Sequence, residues 1–395
     1  MSPDGTTKSV RSQEPPKLRE VRFEDYQQIA ALVCKFNLHI ETYPGWIHLW
    51  TENPAYKQIK DKFPKGWVLE TAEGAVAGYL GNVPLDYEFQ GVRLLAATTR
   101  AWVVDTPYRS YSPLLLGTYF NQPNVNLFLS TTLNPQSAPA YGIFQTTRVP
   151  VGIWDWTLFW ITNYQGFAES FLRKRGTAMA KILSYPISAG VLFGDRVKGS
   201  RLRREDTASK VLSLLSFDER FDAFWGDLRR EKHNVLLGVR TGEALTWHFK
   251  IALQQNAAWI FAIEGASGLA AYAIFLRDDY PDIGLTRMRL VDFQCLEQRR
   301  GPELFLNMLG TAADRCRREF IHMLEMVGLP PGLEAVLKSA SPHRRHLPNW
   351  LYFFKTNNPS LATALQHPAA WEPSLFDGDS SLWTEVISPP RSLRR

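Results

Sequence analysis

The chain has 395 residues, 45% of them hydrophobic and 21% charged, with 13 Trp and 23 Phe; that is material for two or three cores and excludes a wholly disordered chain. Forty-five basic against 39 acidic residues give a formal charge of +6, a mild cationic balance that suits an anionic partner such as a phosphate-bearing cofactor without demanding one. Cys34, Cys295 and Cys316 are too far apart for a disulfide framework, and of eight His only His343 and His346 are close, so neither a disulfide scaffold nor a structural zinc is expected.

Residues 1–17 read as a disordered tail with no apolar run of the signal-peptide kind. No stretch reaches the roughly 18–20 apolar residues of a membrane span. Residues 176–194 come nearest, broken by Lys181 and Pro186; they read as a buried or interfacial helix pair, with a membrane-surface contact as the alternative. A cytoplasmic, reducing compartment is the expected setting. Residues 18–23 alternate like a short strand. Ile29, Leu32, Val33 and Phe36 stand at helix spacing over 25–36. Asn53-Pro54 and the stretch 63–66 are loop punctuation. A hairpin is expected from 67–71 and 75–84 across Glu73-Gly74, then strands at 88–95 and 97–104.

Past residue 104 the pattern changes to a polar loop, a helix over 114–120, a strand over 125–132 and a short helix over 136–144. The aromatic segment 154–171 is expected to pack across a domain boundary. Residues 174–206, where charge and Gly cluster, read as a linker. The same order then restarts, with a helix at 217–230, a hairpin from 258–264 and 269–277, a strand at 285–294, a helix at 302–318, a strand at 322–327, a helix at 331–340 and a closing strand at 350–355. Two copies of one supersecondary programme account for this better than one large domain.

Two local patterns carry chemistry. The strand 100–104 runs into Thr106-Pro107-Tyr108-Arg109-Ser110-Tyr111-Ser112-Pro113-Leu114 and then a helix, and Asn134, Ser137 and Tyr141 follow the next strand at the spacing N-x-x-x-x-x-x-Y. In this order they resemble the GNAT superfamily of acyl-CoA-dependent N-acetyltransferases. There a loop of the pattern Q/R-x-x-G-x-G/A presents backbone N–H groups to the CoA pyrophosphate at a helix N-terminus, where the first N–H groups lack internal partners. Arg109 stands at the Q/R position, Ser112 at the first Gly and Leu114 at the Gly/Ala. Pro113 removes a donor but is tolerated in a first helical turn.

The resemblance implies a mixed central sheet flanked by helices, an α/β class, in two tandem copies: tail 1–17, a GNAT-like acyltransferase domain 18–160, an aromatic and basic connecting segment 161–206, and a divergent second GNAT-like domain 207–395. It implies acetyl-CoA or another acyl-CoA as co-substrate, contacted by Val103, Val104, Arg109, Ser110, Tyr111, Ser112, Leu114, Asn134 and Ser137, and Tyr141 as the acid that protonates the departing thiolate. An equal alternative is that the Tyr141 ring packs between helix and sheet. Glu70, Asp86, Glu88 and Asp105 are candidate bases, each also readable as a strand-end charge. In the second half, the stretch 295–302 does not match the phosphate loop, although Arg299 and Arg300 can neutralise an anion, and His248 reads as structural. No metal is expected. The acceptor is expected to be an amine. The alternatives are an aminoacyl-tRNA-dependent transferase of the FemAB type, for which the basic linker suits tRNA, and a non-catalytic scaffold.

Overall fold

In this computed structural model, which describes residues 14–59, 62–151, 154–200, 202, 209–266, 268–328, 332–340, 342–348, 350–382 and 386–387, the chain forms the following elements. The first part contains β1 (Lys17–Glu20), α1 (Tyr26–Lys35), β2 (Ile40–Glu41), α2 (Tyr43–Thr51), α3 (Pro54–Ile59), β3 (Gly66–Glu70), β4 (Val76–Phe89), β5 (Val92–Val104), α4 (Ser112–Phe120), β6 (Leu127–Leu133), α5 (Ala138–Ile143), β7 (Thr147–Arg148) and β8 (Trp156–Ile161). Then come α6 (Tyr164–Lys174), α7 (Ala180–Lys198), β9 (Leu212–Leu214), α8 (Glu219–Glu231), β10 (Leu237–Gly238), α9 (Gly242–Gln254), β11 (Ala258–Gly265), β12 (Gly268–Arg277), β13 (Arg287–Cys295), α10 (Gly301–Arg318), β14 (Met323–Val327), α11 (Glu334–Ser339), β15 (His343–His346), β16 (Leu351–Lys355), α12 (Pro359–Ala364) and β17 (Val386–Ile387). Most of the tail expected over 1–17 lies outside the described residues, and Lys17 already belongs to β1.

The three strands expected between residues 75 and 104 are two long ones. Gln90 and Gly91 both take positive φ (51° and 74°), the conformation of a tight hairpin turn, so β4 and β5 pair from Phe89↔Val92 back to Gly78↔Val104. Pro84 does not end β4, because β3 pairs with β4 only as far as Gly81 and β10 joins it only at Tyr87 and Glu88. A missing N–H between those partners leaves no ladder bond unmade.

Among the described residues the strands form an eight-stranded sheet in the order β1-β3-β4-β5-β6-β16-β7, with β10 also on β4, and a seven-stranded sheet in the order β15-β8-β14-β13-β12-β11-β9. Read from β1 and from β9, the two orders correspond strand by strand, and each contains one parallel pair, β5 with β6 and β13 with β14. The repeat anticipated from element order is thus a repeat of topology. What element order did not disclose is an exchange. β8 precedes residue 162 yet lies in the second sheet beside β14, while β16 follows residue 350 yet lies in the first beside β6. Within the aromatic segment 154–171, expected to pack across a domain boundary, β8 is built into the second sheet, and Trp154 packs against Trp350 and Tyr352 at the strand that returns to the first.

One core lies between the sheets. It combines Tyr79 and Leu85 of β4 with Tyr272 and Ile274 of β12, and takes in Ile29, Trp46, Trp50, Phe221, Phe224 and Phe249 from α1, α2, α8 and α9. A second core packs α10 on the outer face of the second sheet, and a third packs α4 and α5 on the outer face of the first. The segment 174–206, expected as a linker, is largely the 19-residue helix α7, with residues 201 and 203–206 outside the described set.

Candidate functional site

In each sheet the parallel pair is short and then parts. β5 and β6 are paired over Ala96–Thr98 and Leu127–Leu129, after which β5 runs on to Val104 and β6 turns to β16. β13 and β14 are paired from Arg287↔Met323 to Leu290↔Met326, after which β13 runs on to Cys295. A bulge lies on the longer strand in both. Ala101 (φ 54°) is skipped between Arg100↔Gly81 and Trp102↔Leu80, and Val291 is skipped between Leu290↔Phe275 and Asp292↔Ile274. Bulges turn a strand away from its neighbour and re-aim side chains.

Tyr141 fills the first parting. It is buried, its Oη stands 3.4 Å from Thr99 Oγ1, and Trp102, Phe120 and Phe353 surround its ring. Burial raises its pKa, against hydrogen bonds with Thr99 and Ser130, so the phenol is neutral and retains a proton to donate. Thr98 Oγ1 and Trp102 Nε1, close by on β5, are buried without a hydrogen-bond partner. Val103 and Val104 are buried at the strand end. Arg109 and Ser110 are exposed on the 3₁₀ turn Thr106–Tyr111, and Leu114 is exposed in the first turn of α4. Tyr111 packs onto the core that holds Tyr141, and Ser112 begins α4. Asn134 Oδ1 accepts the Ser137 backbone N–H at 2.8 Å, so these two build the turn into α5.

The candidate bases each sit in an ion pair. Glu70 pairs with Arg19 and Asp105 with Lys35; each pKa is lowered mainly by the bond to that cation. Asp86 pairs with Arg93 and Glu88 with Arg229. His248 is buried with Nε2 2.8 Å from Ser381 Oγ, and burial drops its pKa to about 3. On the inner face of this parting, Arg100 donates to Glu41 (2.7 Å) and to the Asp379 carbonyl (2.9 Å), pinning the C-terminal segment there.

The second parting is open. A cavity of about 270 Å³ runs between β13, from Leu290 to Cys295, and the end of β14 at Met326 and Val327. It reaches the first turn of α10 at Gly301 and Pro302 and is closed on one side by Glu372–Leu375. Its apolar walls are Leu290, Phe293, Met326, Val327 and Leu333. Its polar wall is ordered from beneath: Asp292 is fully buried, holds Arg240 Nε at 2.9 Å, and accepts from Tyr272 Oη (2.9 Å), Ser374 Oγ (3.0 Å) and Gln294 Nε2 (3.2 Å). Lys232 bridges Gln294 and Glu372. Burial pushes the Cys295 thiol up to about 11, so it is no nucleophile at neutral pH.

The stretch 295–302, set apart from the phosphate loop on sequence grounds, occupies the loop's place at this parting. Gln298 and Gly301 stand three apart as in Q/R-x-x-G and both line the cavity; that spacing was the available signal, and Glu303 at the Gly/Ala position obscured it. A Cβ on Gly301 would have Cys295 Sγ, 3.8 Å away, as its nearest neighbour, so the glycine keeps open the space in front of the helix.

A larger cavity, of about 650 Å³, adjoins the first at Val291 and Leu375. Its wall carries Arg287, Arg289 and Arg345, gathered on the fully buried Glu325 at 3.5, 2.8 and 3.0 Å, with Asp278 taking Arg287 and Arg289 at 2.6 Å. Among the described residues no cluster of His, Cys, Asp and Glu is placed to hold a metal ion, and no helix is long and apolar enough to cross a membrane.

No protein-family model matches the chain, and no curated protein matches it in sequence. Solved structures do. A GCN5-related N-acetyltransferase from Anabaena variabilis superposes with a TM-score of 0.53 at 12% identity, over 87% of this chain and 73% of that one. N-myristoyltransferase of Saccharomyces cerevisiae with bound myristoyl-CoA superposes with a TM-score of 0.55 at 9% identity, over 89% and 81%. A GCN5-related N-acetyltransferase from Kribbella flavida gives 0.51 at 9%, over 86% and 70%. The chain therefore has the GNAT fold, and the likeness spans both of its sheets.

Proposed function

We propose that this chain is an N-acyltransferase that takes an acyl group from acyl-CoA and passes it to an amine, with the donor in the second parting. The observation that carries this is the cavity leading from the N-terminal turn of α10 to the bulge at Val291, in a fold shared with proteins solved with acyl-CoA. The positive end of the α10 dipole and the Gln298 side chain face the pyrophosphate, with Arg299 adding positive charge beside Arg300, which is held by Glu297 and Glu303. The pantetheine lies between β13 and β14, where their backbones have no mutual partners. The amine enters through the adjoining cavity and attacks the thioester carbonyl at the Val291 bulge. A C–N bond forms and the C–S bond breaks; Glu372, ion-paired with Lys232 on the solvent-reached side of this wall, takes the proton that the neutral amine loses and returns it to the departing thiolate, so no net proton is consumed. The free Cys34, Cys295 and Cys316 suit the reducing cytoplasmic setting. Residues 18–160 and 207–395 are the two GNAT-like units, joined by 161–206 and interlocked by β8 and β16.

A second placement rests on Tyr141. Its neutral phenol at the first parting, beside the partnerless Thr98 Oγ1 and Trp102 Nε1, suits an acid for a thiolate, with the pyrophosphate on Arg109–Leu114.

Calorimetric titration with acetyl-CoA and myristoyl-CoA separates the two. Loss of binding in Gln298→Ala and Gly301→Ala with Arg109→Ala unaffected supports the second parting. Loss in Arg109→Ala, worth about 1.5–3 kcal/mol, together with a turnover drop of about 10²–10⁴-fold in Tyr141→Phe, moves the site to the first. No binding of any acyl-CoA overturns both, and salt-sensitive tRNA binding in its place gives the aminoacyl-tRNA-dependent transferase.

A further inference from the structure

The helix α7 turns two polar residues inward. Ser184 and Asp195 are buried, and Asp195 is held by Tyr164 Oη at 3.0 Å and His343 Nε2 at 3.0 Å. This fastens the α6–α7 hairpin to the edge strand β15. The opposite side carries Ile182, Pro186, Ala189, Phe193 and Val197, spaced i, i+4, i+7, i+11 and i+15, so one stripe of the helix faces solvent. Ile182 is 66% exposed, Phe193 70% and Val197 72%, and Met179 and Tyr185 extend the patch. A helix packed on a soluble domain normally shows the reverse arrangement.

The charges around the stripe are of one sign. Residues 164–199 contain Arg173, Lys174, Arg175, Lys181, Arg196 and Lys198 against two acids. Glu169 is taken by Arg173, and Asp195 is the buried one. The hairpin thus offers solvent an apolar stripe rimmed with cations.

We infer that the α6–α7 hairpin is a membrane-docking surface that lays the outer stripe of α7 into the interface of an anionic bilayer, with the basic rim at headgroup level. Apolar insertion combined with cationic attraction is what an interfacial helix needs. A second copy of this chain on the same face would set each cationic rim against an identical one, which opposes a symmetric dimer.

The test is co-sedimentation of the full chain with vesicles of phosphatidylcholine alone and of phosphatidylcholine with phosphatidylserine. The wild type is expected to pellet with the anionic vesicles, less with the neutral ones, and less as salt rises. The double variant Ile182→Asp/Phe193→Asp, at exposed positions and checked for an unchanged melting temperature, should lose at least roughly 10-fold in partitioning, since it replaces two large apolar side chains of the inserted stripe with charges. Arg196→Glu/Lys198→Glu should lose anionic selectivity while keeping neutral binding. Equal partitioning of wild type and Ile182→Asp/Phe193→Asp overturns the proposal. So does a wild type that ignores both vesicles and instead sediments as a dimer that the double variant dissolves.

Discussion

Val291, the bulged residue of β13, and Leu375, from the C-terminal segment, both line the two adjoining cavities. The two cavities thus adjoin at an apolar partition, and on the proposed placement the reacting carbonyl meets the amine there, away from bulk water. A bulky side chain there should separate the two. Leu375→Trp is expected to leave acyl-CoA binding within about 3-fold while lowering turnover by 10-fold or more, because it obstructs the meeting point and not the α10 end; misplacement by an ångström is on that scale. Calorimetry beside steady-state kinetics checks it, with thermal melting to register the overpacking cost.

His248 and Asp377 should give opposed pH dependences of stability. Burial holds His248 at about 3, below its ordinary 6.5, so the folded state binds fewer protons and stability rises with pH between about 3 and 6.5. Burial lifts Asp377 to about 6, above its ordinary 3.8, so the folded state binds more protons and stability falls as pH rises through about 4 to 6. Over pH 4–6 the two slopes oppose. Asp377→Asn should steepen the acid-side loss of stability, and His248→Gln should flatten or reverse it, each by up to about 1.4 kcal/mol per pH unit. Urea melts at pH 4, 5 and 6 read this directly.

Arg240 and Asp292 form a fully buried ion pair beneath the open cavity. Asp292→Asn leaves a buried guanidinium without its counter-charge and should destabilise the fold by about 3–5 kcal/mol. Arg240→Met/Asp292→Leu together should recover much of this, because the two desolvation penalties vanish with the charges. A double-mutant cycle by denaturant titration measures the difference.

Gly378 (φ 78°) crosses the first sheet in the C-terminal segment, and a Cβ there would lie 2.5 Å from Thr131 Cγ2 and 2.8 Å from Thr131 Oγ1. Its N–H also donates to Tyr87 Oη at 3.2 Å. Gly378→Ala combines left-handed strain with overpacking and should cost about 2–5 kcal/mol, with hydrogen exchange rising first in the segment from Trp371 to Leu382.

Much was determined by the sequence by itself. Apolar spacing at Ile29, Leu32 and Val33, the turn at Glu73-Gly74 and the strand–loop–helix around Arg109 are local signals, and local signals survive translation into structure because φ, ψ and side-chain direction are set within a few residues. The repeated order of elements, and with it the α/β class, followed from those signals, and the GNAT fold from the resemblance carried by Arg109–Leu114 and Asn134–Tyr141.

What only the tertiary structure decided involves partners far apart in the chain. Alternation along residues 156–161 says that a strand has two faces but not that its neighbours will be Met323–Val327 and His343–His346. Nothing near Asp292 announces Arg240, 52 residues earlier. In sequence Tyr141 marks a donor site and the stretch 295–302 is set aside; packing distinguishes the two places differently, because Phe120, Trp102 and Phe353 close around Tyr141 whereas the C-terminal segment stops short of filling the space beside Gln298 and Gly301. The outward stripe of α7 has the same origin. Its period is plain in the sequence, but which side faces water was settled by Asp195, whose partners Tyr164 and His343 lie on α6 and β15 and draw the polar side of the helix inward.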